Sequence, residues 1–421
     1  MMSTRDIAEF VVGTEYDRLP DAVREATKRR LLDALAVGLH HRDDASVDAV
    51  RRGIATDRGS AGRSRVWGTD LTVSAPRTAM ANAASVAAGN APTFLSPTPA
   101  PAAGSIAAVL AVADDRGATG EETIAGLAAA LELHGELAWR APLDELHPAT
   151  HTAVAATAGV GRITGLDVFE LSSALGNAAS RVTLGVGDDA FVPIATGTAA
   201  LEATYACLLA DGGVDAADSM MAKNGWHDLV GPFDLDFDPG CERVRDAAIL
   251  PYDASPYEQS AIGAAIELAD RDPLDPADID AVTVETVDDA EPAVDPERIA
   301  AALVDRELFV HRATREDIRP VLDAVTVTAD GRLTEQAERG TAPVRVSVEY
   351  RDESTAEVRL DHFNGHPATP ASWGTVADKF HVLSEAVYGR ERRERIVRTV
   401  RTFEAESADE LARLLDRSGR V

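Results

Sequence analysis

The sequence predicts a mainly α-helical protein: a large all-helical domain formed by both chain ends (1–268 and 373–421) and a smaller α/β lid domain (269–372). Three observations carry this prediction. Ala-rich segments with apolar residues at helical spacing recur from Pro20 to Leu209. After about Leu268 the texture changes to short alternating runs interleaved with helices. From Trp373 onward the pattern returns to helix, which reads as packing back on the first domain.

The elements follow in order. Ser3 or Thr4 caps a first helix, and a longer one runs near Pro20–Leu39, where Val23, Ala26, Leu31, Ala34, Leu35 and Val37 keep helical spacing. Apolar helical patterns then recur at Val47–Ile54, Arg77–Ala88, Ser105–Ala113, Glu121–Trp139, Thr150–Arg162, Val168–Arg181 and Thr196–Leu209. Alanine dominates them, so their backbones can approach closely in two or three packed layers. In the next part, Ile279–Val287 and Ala324–Thr328 alternate like strands, and Val344–Tyr350 with Ala356–Leu360 reads as a hairpin across RDEST. Helices at Pro296–Val304 and Arg315–Val321 interleave with them, and the tail holds helices at Trp373–Val387, Arg390–Thr402 and Ala408–Leu415.

Composition narrows the function. With 421 residues, two domains is the default expectation, and 45% apolar residues suffice for filled cores. The N-terminus MMSTRDIAEF lacks a basic stretch followed by an apolar one, and no long uninterrupted apolar run is present, so the expectation is a cytoplasmic protein with no membrane span. A formal net charge of −29 argues against nucleic acid as a partner. Cys207 and Cys241 are the only cysteines, too few for a zinc site or an iron–sulfur cluster, so no metal and no cofactor is expected. Surplus carboxylates with only three lysines (Lys28, Lys223, Lys379) fit adaptation to molar salt, where screening over roughly 3 Å removes self-repulsion.

Few motifs carry chemistry. From Thr78 to Ala113 the chain runs 36 residues without one ionisable side chain, as an Ala-rich helix, a Pro-rich loop and a second Ala-rich helix. A loop between buried helices is a natural active-site position, yet this one offers only amides, hydroxyls and carbonyls. Gly159-Val-Gly161-Arg-Ile-Thr-Gly165 follows helix, not strand, and reads as helix packing with a C-cap at Gly165. His147-Pro-Ala-Thr-His151 has Pro148 where a metalloprotease helix needs Glu, so His147 reads instead as an anion contact or proton donor before a helix N-terminus, against a plain loop histidine. Thr150 and His151 stand beside it. Glu136 in His134-Gly-Glu136 is expected to pair with Arg140 one turn on. Lys223-Asn-Gly-Trp-His227 is a polar turn that could hold a carboxylate, and Arg181 sits where a helix C-terminus favours a cation. Asp188 and Asp189 read as solvated loop acids.

Taken together, these pieces resemble the MmgE/PrpD family, which includes 2-methylcitrate dehydratases and cis-aconitate decarboxylases. The resemblance covers nearly the whole chain. Ala26-Thr-Lys28…Leu31-Leu-Asp33-Ala-Leu35 is similar to the family's AK..LLD.L helix, Gly135-Glu136 to its GYE, and His147-Pro…Thr150 to its FHPT. Asn82-Ala-Ala heads the Ala-rich helix, Gly197-Thr-Ala199-Ala200 matches G.AA, and Asn364-Gly365-His-Pro367 and Lys379-Phe380 match G.P and KF. The resemblance implies the helical domain with its lid, a homodimer, and metal-independent lyase chemistry on di- or tricarboxylates. The departures are equally specific. Where the family's NG…H.LD.DD signature falls, its His becomes Ala87 and its three Asp become Asn90, Pro92 and Thr93. The following HP becomes Ala100-Pro101, the lysine before G.AA falls near Val192, and the K.YP lysine falls on Leu250. A later histidine corresponds to Glu258 or Gln259, leaving His147 as the principal ionisable site residue carried over.

The sequence therefore supports a lyase of this family on a small carboxylate, with His147 catalytic and Asn90, Thr150, His151, Lys223, His227 and Tyr257 as substrate-binding candidates. Two other readings stand beside it: a non-catalytic relative that binds a metabolite or a protein, and an isomerase with a new set of residues. The acid surplus makes its own prediction. The melting temperature should rise from dilute buffer to molar KCl, and an unchanged value would refute the salt-adapted reading.

Overall fold

The structure is a computed structural model that describes residues 2–56, 62–143, 146–183, 191–216, 220–221, 225–271, 275–306, 316–337 and 340–417. The chain packs as two compact units: Met1–Ala247 with Val376–Val421, and Ala248–Thr375.

The first unit is helical. It contains α1 (Thr4–Val12), α2 (Asp21–His40), α3 (Ala45–Thr56), α4 (Ala75–Ala87), α5 (Ala103–Arg116), α6 (Gly120–Arg140), α7 (Ala149–Thr164), α8 (Val168–Ala179), α9 (Phe191–Asp211) and α10 (Trp226–Val230). Two short ribbons interrupt them, β1 (Ser64–Arg65) with β2 (Thr72–Val73), and β3 (Thr93–Phe94) with β4 (Ala100–Pro101), both antiparallel. The β3–β4 ribbon lies within the segment read from sequence as a plain loop.

Local signals account for the helix ends. Ser3, Thr119 and Asp167 each accept from the third backbone N–H of the following helix, and Asp6, Glu122 and Glu170 close the capping boxes of α1, α6 and α8. Gly165 ends α7 at φ 75°, the left-handed geometry that favours glycine. Small residues set the interhelical spacing. A Cβ on Gly159 would lie 2.5 Å from Val109 Cγ2 on α5 and 2.7 Å from the Gly126 carbonyl oxygen on α6. Helices α6 and α7 thus touch at backbone range, and the Val109 side chain of α5 packs directly on the Gly159 backbone.

Helix α9 is the one described helix long and apolar enough to cross a membrane by length and composition, and 56% of its most apolar window is buried within the fold. It packs on α4, α5 and α7.

Helix α2 ties distant parts of this unit together. Lys28 Nζ reaches Glu404 Oε2 at 2.9 Å and the Arg401 carbonyl at 2.8 Å in the C-terminal tail. Arg30 donates to the Arg245 carbonyl at 2.9 Å and also to that of Ala247. Asp33, fully buried, meets Lys379 Nζ at 2.7 Å.

The second unit begins as the chain passes through β5 (Ala247–Ala248) into α11 (Gln259–Arg271). It continues with β6 (Ile279–Thr286), α12 (Pro296–Asp305), α13 (Arg319–Leu322), β7 (Val325–Ala329), α14 (Gly331–Gln336), β8 (Val344–Tyr350) and β9 (Thr355–Leu360). The sheet order is β7-β6-β8-β9, with β6 and β7 parallel and the other neighbours antiparallel. Val344, Val346 and Val348 of β8 face inward with Val282 and Val284 of β6, while Arg345, Ser347 and Glu349 alternate outward. Ile262, Ala265 and Leu268 of α11 cover this face with Ile299 and Leu303 of α12.

The sequence pattern places residues 248–268 with the helical domain, whereas α11 packs on the sheet. Its apolar side chains are spaced like those of the preceding helices, and spacing does not reveal a helix's partner. The first unit resumes with α15 (Trp373–Leu383), which crosses the boundary near Val376, followed by α16 (Arg390–Arg401) and α17 (Ala408–Leu415).

The buried pair makes a testable prediction. Lys379→Met alone strands the Asp33 carboxylate and should cost roughly 3–5 kcal/mol, whereas the double change with Asp33→Leu should recover most of that loss. Denaturant unfolding in molar KCl measures both, and a double variant as unstable as the single would refute the pairing argument.

Candidate active site

The HPATH segment enters α7. His147 precedes the helix and caps it, its Nδ1 accepting from the Ala149 backbone N–H at 3.0 Å. Its own backbone N–H donates to the Thr183 carbonyl at 2.9 Å, and its ring stands edge-on to Phe191 with centroids 5.8 Å apart. A nitrogen that accepts from N–H carries no proton, so the neutral ring holds its proton on Nε2. His147 is thereby set as a hydrogen-bond donor. Serving as a base at Nε2 would require the proton on Nδ1, and the imidazolium would carry protons on both nitrogens; either state breaks the bond from Ala149. Burial also lowers its pKa below the ordinary 6.5, favouring the neutral ring.

Thr150 is committed to the backbone. Its hydroxyl accepts from the Thr183 N–H at 2.9 Å and donates to the Thr183 carbonyl at 3.3 Å, holding the chain beside His147. His151, one turn on, points Nε2 at the Ala141 carbonyl at 2.9 Å. A carbonyl only accepts, so His151 carries its proton on Nε2 and leaves Nδ1 as a bare lone pair, buried and without a hydrogen bond among the described residues.

Around His151 lies a cluster not anticipated from sequence. His134 of α6 is 5.9 Å away ring to ring and bonds Ser105 Oγ of α5 through Nδ1 at 3.3 Å. Phe94 stacks on His134 at 5.8 Å, and Trp226 flanks His151 at 6.0 Å. The uncharged run from Thr78 to Ala113 thus supplies Phe94 and Ser105 to a buried imidazole pair. A Cβ on Gly104 would lie 2.5 Å from Thr196 Cγ2 and 2.9 Å from Thr152 Cγ2, so the first turns of α5 and α7 meet the second turn of α9. His134 itself is the sequence signal for this cluster, but its partners Ser105 and His151 lie on other helices.

Glu136 proves to be structural, with a different principal partner from the one expected. Arg140 is 3.6 Å away, while Arg243 makes two contacts at 2.6 and 2.9 Å and the Asp236 N–H donates at 3.0 Å. Glu132, one turn earlier, accepts from the Arg243 N–H at 2.8 Å, so the two carboxylates fasten residues 236–243 to α6. Arg181 pairs with Glu202 at 3.2 Å.

The remaining candidates are placed separately. The Asn90 carbonyl accepts from Lys379 Nζ at 3.3 Å, and Gly89 packs on His41, whose Nδ1 lies 2.9 Å from Asp44 Oδ2. His227 on α10 directs Nε2 to the Phe233 carbonyl at 3.1 Å. Tyr257 belongs to the second unit, where burial raises its phenol pKa. In the same unit Glu258 pairs with Arg298 at 3.2 Å, and Gln259 donates to the Ala254 carbonyl at 2.8 Å. Lys223, Asp188 and Asp189 lie outside the described residues. Among the described residues no group of three or more His, Cys, Asp or Glu side chains could hold a metal ion.

The fold and this segment define a helical protein with a small α/β unit and a histidine at a helix entrance. Residues 5–235 match the MmgE/PrpD N-terminal domain and residues 296–405 the MmgE/PrpD C-terminal domain. The chain belongs to the MmgE/PrpD family. Among curated proteins none matches it. The C-terminal match runs through the end of the second unit into the tail helices of the first.

Buried groups give stability a defined pH dependence. Burial holds His151 down to about 4 and His134 well below 6.5, with the His151 charge adding to the effect on His134. Below 6.5 the unfolded chain binds protons that these folded imidazoles refuse, so their contribution is complete above 6.5 and lost as pH falls toward 4. Glu132 and Asp114 act in the opposite sense. Burial raises them to about 8 and about 7, so their contribution is present below their ordinary values and lost as pH rises through 7–8. Stability to denaturant in molar KCl should therefore fall between pH 6.5 and 8, where only the two acids respond, and His151→Phe should remove part of the gain the histidines supply between pH 4 and 6.5. A stability that climbs steadily past pH 8 would contradict this account.

Proposed function

We propose that the chain is a lyase of the MmgE/PrpD type acting on a small carboxylate that carries less charge than a tricarboxylate. The observation that carries this reading is the orientation of His147, fixed by the Ala149 N–H as a neutral Nε2–H donor beside the first turn of α7. A helix N-terminus favours a carboxylate through its free N–H groups and partial positive charge. The described hydrogen-bond partners of His147, His134 and His151 are backbone groups and the Ser105 hydroxyl, none of them a lysine or arginine, which supports a weakly charged substrate.

In that setting His147 donates to a substrate carboxylate oxygen. The bond strengthens as negative charge flows onto that oxygen when the neighbouring C–H or C–C bond breaks. Such a donor assists elimination and decarboxylation alike, because both pass through charge built up next to a carboxylate. His151 bonds the Ala141 carbonyl and Thr150 bonds residue 183, and together they hold His147 in place. This role is in keeping with the reading of His147 as an anion contact at a helix entrance.

The test is turnover in molar KCl with hydroxylated mono- and dicarboxylates alongside 2-methylcitrate, citrate and cis-aconitate. Removing a donor of this kind typically costs about 10²–10³-fold in kcat. His147→Ala should show that loss, while His147→Gln, which keeps an N–H donor, should retain distinctly more. Equal loss in both variants would mean that the imidazole acts as a base. No turnover with any substrate would favour the binding-scaffold reading, which the replacement of the family's His and Asp positions by Ala87, Asn90, Pro92 and Thr93 also supports.

A further inference from the structure

A second feature of the helical unit bears on ligand binding and lies outside the histidine cluster. Between the C-terminal end of α2, helix α3 and the turn joining β1 to β2 is a cavity of about 350 Å³, open to solvent. Four arginines line it, Arg42, Arg51, Arg52 and Arg417, with two carboxylates, Asp43 and Asp70, and a third, Asp48, pairs with both Arg51 and Arg52. In a chain where Asp and Glu number 70 and Lys and Arg 41, even this local balance of four arginines to three carboxylates runs against the composition.

The pairing within the cavity is incomplete. Arg42 directs Nε at 3.0 Å and Nη2 at 2.9 Å to Asp43, but its Nη1 is buried with no hydrogen bond among the described residues. A buried guanidinium N–H without an acceptor is costly, and a ligand oxygen would satisfy it. Arg51 is paired, Nη1 donating to the Arg42 carbonyl at 2.9 Å and Nη2 to Asp48 at 2.5 Å, with Asp43 at 3.4 Å, so it fixes the wall, and Arg52 meets Asp48 at 2.8 Å on the rim.

Two backbone bonds bring the C-terminal segment to the mouth. The Gly68 N–H donates to the Leu415 carbonyl and the Arg417 N–H to the Thr69 carbonyl, both at 2.8 Å. Gly68 itself has φ 68°, and a Cβ there would lie 2.9 Å from Arg42 Cδ, so glycine at the turn leaves room for the Arg42 side chain.

We propose that this cavity binds a small polyanion bearing at least two phosphoryl or carboxylate groups. Guanidinium forks match both oxyanions in bidentate geometry, and the volume is in the range of small-metabolite sites. Direct contacts of this kind survive molar salt, whereas long-range attraction over more than about 3 Å does not.

Titration calorimetry with inorganic pyrophosphate and with citrate, each in molar KCl, tests the site, and the stronger binder identifies the favoured oxyanion. Saturable one-to-one binding of at least one is expected. Arg52→Ala with Arg417→Ala should weaken it by about tenfold or more, because two charge-assisted partners are lost. Asp70→Asn should tighten it by removing a repulsive carboxylate, and this change keeps the proposal testable if the double variant folds poorly. Arg390→Ala, on an exposed helix end, should leave binding unchanged. The proposal is overturned if neither anion binds, if the double variant and Asp70→Asn both bind like the unaltered protein, or if Arg390→Ala weakens binding equally.

Discussion

Asp33 and Lys379 meet at 2.7 Å with almost no exposure to solvent, and the helical unit depends on that contact. Neither charge is tolerable there alone. Burial pushes the Asp33 carboxyl above its usual range, and only the Lys379 ammonium and, more weakly, Arg30 oppose that push. The pair therefore forces α2, near the start of the chain, and α15, near its end, to close together. Through its bond to the Asn90 carbonyl, the same ammonium also fixes the loop that follows α4. One cation thus joins three segments that are far apart in sequence.

Close helix packing supplies the second constraint. Gly126, Gly159 and Gly104 leave no room for a methyl group, so α6 and α7 meet at backbone distance and side chains of α7 and α9 pack directly on the α5 backbone. That approach brings Ser105, His134 and His151, from three different helices, into one cluster. The same tightness keeps solvent out and holds the imidazoles neutral. Around this cluster the polar contacts are backbone carbonyls, a backbone N–H and the Ser105 hydroxyl, whereas the charges buried elsewhere in the unit, Asp33 with Lys379 and Glu136 with Arg243, are paired.

Much of the secondary structure was legible in the sequence. Helix spans from Val47–Ile54 to Ala408–Leu415 fell within a few residues of the observed elements, because their apolar spacing and caps are local properties. The hairpin across RDEST was legible because alternation and a turn sit side by side. The β1–β2 and β3–β4 ribbons were not, since two-residue strands leave no period to detect. Nor did the pattern show that α11 packs on the sheet, because a helix's apolar face does not specify the surface it meets.

The candidate site divides in the same way. The sequence by itself determined the mainly helical class, the family, and His147 at a helix entrance, since each rests on residue order within a short window. Only the tertiary structure decided that the neutral His147 ring carries its proton on Nε2, that Thr150 is committed to residue 183, and that Arg243 outranks Arg140 as the partner of Glu136. It also brought His134 beside His151 and gathered four arginines around one cavity. The physical reason is common to all of these. A side chain's protonation and its free hydrogen-bonding positions depend on atoms that packing brings near, and those atoms lie tens or hundreds of residues away along the chain.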